Sequence, residues 1–183
     1  MQIAQQKLNE NIAEYILYMY QIEDVIRSCK FDIDIIMEAY VRPQLPDSSF
    51  DNQYKTWYEG LIKEMKSQRI EKSGHLASTQ EILVELSYLH NTMINMTKDE
   101  KYVPVFDSAN KYLEEFKQKS DLKDKNQVEI AFHAMYMKLL LKLQKKEISP
   151  ETEEAFDAMR LMLAYLGRAY HKMKAGDLDF LKN

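Results

Sequence analysis

Apolar residues recur at steps of three and four along nearly the whole chain, the spacing that lines one face of an α-helix. No stretch alternates as a half-buried strand would, and no internal repeat is visible. The first helix is expected from about Gln5 to Cys29, with Ile12, Tyr15, Ile16, Met19, Ile22, Val25 and Ile26 on one face. Lys30-Phe31-Asp32 reads as a corner, and Asp32 can cap a second helix through Tyr40. Pro43 and Pro46 break the chain before a third helix, about Phe50 to Lys72, for which Gly74 is the expected left-handed cap. Ser78-Thr79-Gln80-Glu81 matches a capping box for a fourth helix reaching about Met96. Thr97-Lys98-Asp99-Glu100 matches another, followed by Pro104 at the first position of a fifth helix ending near Lys119.

The sixth helix, Val128 to Leu143, is apolar around most of its circumference and too short to span a bilayer. It is therefore expected at the centre, with Leu140 enclosed and Lys138 and Lys142 at its one solvent-facing edge. Ser149-Pro150-Glu151 opens a last helix to about Lys174, closed by Gly176. The expected fold is all-α: a compact antiparallel bundle of six to seven helices, sixth helix central. One domain covers residues 1–183, with a short tail after about residue 176.

Composition narrows function mainly by exclusion. A net charge of −4 is not that of a dedicated nucleic-acid binder, whose affinity comes largely from phosphate neutralisation. The densest basic run, Lys142 to Lys146, is short and ends at Glu147. Cys29 is the only cysteine, so no disulfide can form within the chain. Neither a signal peptide nor a membrane span is visible, and the expected location is cytoplasmic.

The amino-terminal segments Ile3-Ala4-Gln5-Gln6-Lys7, Glu10-Asn11-Ile12-Ala13-Glu14-Tyr15, Leu17-Tyr18-Met19 and Glu23-Asp24-Val25-Ile26-Arg27 resemble an uncharacterised family of domains of unknown function from Bacteroides-type bacteria. Leu139 to Lys146 and Ile148 to Thr152 are similar to it as well, so the resemblance covers essentially the whole chain. It implies a stand-alone helical bacterial protein and brings no activity or site residue with it.

Candidate chemistry is thin. No Glu-x-x-His pair of a di-iron bundle and no His-Glu-x-x-His zinc motif occurs. Convergence of His90, His133 and His171 would make a three-histidine metal site. Glu81 and Glu85 with Glu23 and Asp24 are a sparse version of the acidic clusters that hold magnesium. Against these, Glu81 belongs to the expected capping box, and Glu23 stands four residues before Arg27, a favourable helix pair. Cys29, near a helix C-terminus, reads as a small buried residue.

Twelve tyrosines and one tryptophan are a heavy aromatic load, concentrated in the first three helices. Such side chains suit interfaces, having a large apolar body with a polar end. The expected function is non-catalytic: contact with a protein partner, or self-association as a homodimer, through Tyr18, Tyr20, Tyr54, Trp57 and Tyr58. No cofactor, nucleic acid or membrane is expected. The alternative is a small helical-bundle enzyme or ligand binder of the metal-dependent hydrolase type, its inter-helix pocket using Glu85, His90 and His133.

Overall fold

The computed structural model describes residues 2–179, so residues 180–183 of the expected tail lie outside it. The described residues form a compact antiparallel bundle of eight helices with no strand. These are α1 Gln2–Glu10, α2 Ile12–Ser28, α3 Ile33–Ile36, α4 Asp51–Ser67, α5 Ala77–Asn91, α6 Tyr102–Lys119, α7 Gln127–Leu143 and α8 Pro150–Lys174. The last turns of α3 and α5 widen into π-turns, Met37–Val41 and Thr92–Met96.

The expected first helix is two, because Asn11 leaves the helical region at φ −152°, ψ 94° and starts a new one. Its side chain accepts the Glu14 amide at 3.2 Å, and His171 Nε2, reaching over from α8, accepts the Ile12 amide at 3.2 Å. Asp32 caps α3, Asn126 and Glu129 form a reciprocal capping box on α7, and Ser149 caps α8 ahead of Pro150.

Two expected caps are replaced. Helix α5 begins one residue before the Ser78–Glu81 box, at Ala77, so Ser78 lies inside the helix instead of capping it. Side chains from elsewhere hold the amides there: Glu23 accepts from Leu76 N at 3.0 Å and Gln68 from Ala77 N at 2.8 Å. Helix α6 begins at Tyr102, making Pro104 its third residue. That position is tolerable because the first four helical amides lack intrahelical partners anyway. Asp99 accepts from Lys101 N and Tyr102 N at 3.0 and 2.7 Å.

Three helix ends close without a glycine. Lys30, Arg69 and Lys145 take left-handed φ values of 53°, 58° and 55°, the conformation usually given to glycine. At Arg69 the amides of Ile70 and Arg69 close back on Met65 O and Lys66 O, both at 3.1 Å. Helix α4 thus ends at Ser67, well before Gly74. Gly176, at φ 78°, does close α8 as expected.

Helix α2 joins two hydrophobic clusters. Its Ile12, Ile16 and Tyr20 enter the larger one, built with α5, α6, α7 and α8. Its Met19, Ile22 and Ile26 enter a smaller one with Ile36, Met37, Tyr58, Met65 and Leu76. Helix α7 packs on α2, α5, α6 and α8 and is central, but only its first half is enclosed. Phe132 is 1% exposed, whereas Leu139, Leu140 and Leu141 are half-buried and Leu143 is 60% exposed. Lys138 is not at a solvent edge. It lies 2.5 Å from Glu153 and over the Phe156 ring, its side chain 12% exposed.

Candidate functional site

Glu85, His90 and His133 have separate surroundings. Glu85 and His90, five apart on α5, face different neighbours. Glu85 accepts from Tyr170 Oη and Lys174 Nζ, each at 2.6 Å. Burial raises its pKa, but these two bonds outweigh burial and hold it below the ordinary range. His90 is 4% exposed, with Nδ1 2.8 Å from Tyr102 Oη, and burial pushes its pKa down to about 4. His133 lies instead beside Tyr20 and His75, its pKa lowered by burial first and then by the charges of His75 and Lys125.

The aromatic residues assigned to a surface are largely interior. Tyr20 and Tyr58 are 2% and 1% exposed. Tyr18, Tyr54 and Trp57 are half-buried around the smaller cluster. Their helical spacing is that of a core face, and core packing has claimed them.

The polar group that does assemble was not expected. Glu23, with no exposed surface, places Oε2 2.6 Å from His75 Nδ1 and Oε1 on the Leu76 amide. One proton is shared between this Glu23 oxygen and Nδ1 in that contact. His75 stacks on Tyr20 with ring centroids 3.6 Å apart, and the His133 ring is 6.1 Å from that of His75. One residue on, Asp24 accepts from Tyr136 Oη at 2.7 Å and from Arg27 at 2.9 Å. Arg27 also donates to the carbonyls of Ile70 and Gly74. The partner of Arg27 is thus Asp24, not Glu23. Chemically this is a clasp that fastens the α4–α5 connection to α2 where the two clusters meet. A signal did exist: Glu23 falls in phase with Met19 and Ile26 on a buried face. His75, in a polar connection far along the chain, gave none.

Other histidines and acids are similarly spent. His171 caps α2, and Asp99 accepts from Tyr165 Oη at 3.1 Å as well as from α6. Cys29 is half-buried at the end of α2. Among the described residues no three His, Cys, Asp or Glu side chains gather as a metal site. None of the described helices is long and apolar enough to cross a membrane.

Two surface features remain. Val84, Tyr88 and Met96 stand out from α5 and its π-turn at 68%, 68% and 73% exposure. A groove of about 480 Å³ opens between α2, α7 and α8.

Fold and clasp together define an all-helical bundle protein stitched by buried polar contacts. The chain belongs to the family described as Domain of unknown function (DUF4924), whose model matches residues 1–177. No curated protein and no solved structure matches it.

Proposed function

We propose that this protein is a non-catalytic interaction module that pairs with a second copy of itself through the outer face of α5. The carrying observation is the run Val84, Tyr88 and Met96, three large apolar side chains left in solvent on one helix and its last turn. Isolated exposed apolar residues are ordinary; several on one element, one of them aromatic, favour a contact surface. Between Glu81 and Lys98 the exposed positions are Val84, Tyr88, Asn91, Asn95 and Met96, none of them charged, and the one carboxylate there, Glu85, is already paired with Lys174. A two-fold contact lays this face on itself without opposing like charges. Antiparallel pairing also brings the acidic end at Glu81 toward the basic end at Lys98 of the other copy. The proposal moves the contact away from the first three helices and keeps the cytoplasmic location inferred from sequence.

Light scattering from micromolar to millimolar concentration tests it. The expected result is a rise from monomer to dimer mass that Tyr88→Glu abolishes without lowering the melting temperature. A monomeric parent at every concentration overturns the proposal, as does a dimer untouched by Tyr88→Glu.

A further inference from the structure

The groove between α2, α7 and α8 shares no residue with the α5 face, and its lining is chemically uneven. Leu17, Met135, Leu139 and Leu163 give it an apolar floor. Its rim holds Lys138, Lys142, Arg160, Glu14 and Asp157. Both rim carboxylates are already neutralised. Glu14 accepts from Lys7 at 2.8 Å, while Asp157 lies 3.3 Å from Arg160 and 3.6 Å from Lys138. Lys142 is the exposed rim cation with no carboxylate partner among the described residues. The groove thus pairs an apolar trough with one uncompensated positive charge.

At about 480 Å³ the space is that of a small-molecule site rather than a packing fault. Such sites run from about 300 to 1,000 Å³, mostly apolar with a few orienting polar groups. A neutral or cationic occupant would leave Lys142 without a partner, and a fully polar one would strand the leucines. We propose that this groove binds a small single-chain amphiphile with an anionic head, its hydrocarbon on Leu17, Met135, Leu139 and Leu163 and its carboxylate on Lys142. Ala164, half-buried in the lining, is the place to close it: a phenylalanine there projects into the trough.

Calorimetric titration with dodecanoate below its micelle concentration, beside dodecyltrimethylammonium, tests the proposal. Expected are saturable dodecanoate binding at one site and no saturation by the cationic chain. Lys142→Gln should weaken binding about fivefold, the effect of losing one partly screened charge contact of about 1 kcal/mol. Ala164→Phe should abolish it while the ligand-free melting temperature holds. Tyr88→Glu should leave it unchanged, which separates this site from the pairing face. Equal binding of both chains, or dodecanoate binding that survives Ala164→Phe, overturns the proposal. So does saturation by an acidic amphipathic peptide where dodecanoate gives none.

Discussion

Glu23 and His75 form a short pair, 2.6 Å from carboxylate Oε2 to ring Nδ1, at the seam between the two apolar clusters. The carboxylate is fully covered and has a second task, accepting the Leu76 amide that opens α5. Removing it therefore leaves two groups without a partner. Glu23→Ala is expected to destabilise by about 3–5 kcal/mol, the sum of leaving two buried hydrogen-bonding groups unsatisfied. Glu23→Gln should lose less than half of that. Its amide oxygen can still accept from Leu76, and its amino group can donate to the other tautomer of His75. Urea denaturation of both variants checks this, and equal losses would show that the hydrogen-bonding shape is not what matters.

Thr79 presents the opposite case. It is fully buried near the start of α5, and its hydroxyl has no hydrogen-bond partner. Replacing that hydroxyl by a methyl of similar size removes an unpaid desolvation of about 1–3 kcal/mol. Thr79→Val should raise stability by about 1 kcal/mol, since valine and threonine have nearly equal helix propensity. A thermal melt settles the sign, and a drop in melting temperature would mean that the hydroxyl has a partner in solution.

These two residues also show where sequence could and could not lead. Asp32, Ser149 and Pro150 start helices through their own side chains, so the local pattern locates those starts. Helix α5 is started by Glu23 and Gln68, both distant in sequence, so the nearby hydroxyl–carboxylate pattern at Ser78–Glu81 does not locate that start. Helix stripes identified the core reliably, yet a stripe does not say how far along a helix its neighbours reach. Tyr20 and Tyr58 read as surface because tyrosine suits a rim, and only the tertiary arrangement shows them enclosed. The clasp was half legible: Glu23 stood on an apolar face, while the approach of His75 depends on a connection with no pattern of its own.

His90 makes stability depend on acidity. Burial lowers its folded-state pKa to about 4, against about 6.5 for an unfolded histidine. Between these values the unfolded chain takes up a proton that the folded chain refuses, so stability falls as pH drops from about 6.5 to 4. The full effect is up to about 3 kcal/mol. His90→Asn keeps a polar atom near the Tyr102 hydroxyl without a titrating ring. It should flatten that part of the profile while lowering stability at neutral pH. Chemical denaturation at pH intervals provides the measurement, and an unchanged slope in the variant would assign the acid sensitivity elsewhere.

Lys30, Arg69 and Lys145 hold left-handed helix ends with side chains that disfavour them. Glycine accepts that conformation freely, though it also loses more freedom on folding. Arg69→Gly and Lys145→Gly should each stabilise by about 0.5–1 kcal/mol. Gly176→Ala, the reverse change at φ 78°, should destabilise by a similar amount. Melting temperatures of the three variants give the comparison, and a loss at Arg69 or Lys145 would show that the long side chain contributes packing.

The two halves of α7 should respond differently to truncation. Phe132 is 1% exposed and surrounded by the larger cluster, so Phe132→Ala removes a ring and leaves a cavity, an effect of about 3–5 kcal/mol. Leu140 is half-buried two turns further on, where the helix emerges from its neighbours. Its truncation opens to solvent rather than to a void, and Leu140→Ala should reduce stability by only about 1 kcal/mol. Lys138 reverses the usual ranking of leucine and lysine. Its stem covers Phe156 and its amine meets Glu153, so Lys138→Ala should reduce stability by about 1–2 kcal/mol. Lys138→Met, which keeps most of the stem and drops the charge, should lose less. Equilibrium denaturation of the four variants tests the whole order. If Leu140→Ala proves as damaging as Phe132→Ala, the end of α7 is enclosed in solution, and the natural way to enclose it is a second molecule laid over the exposed Leu143.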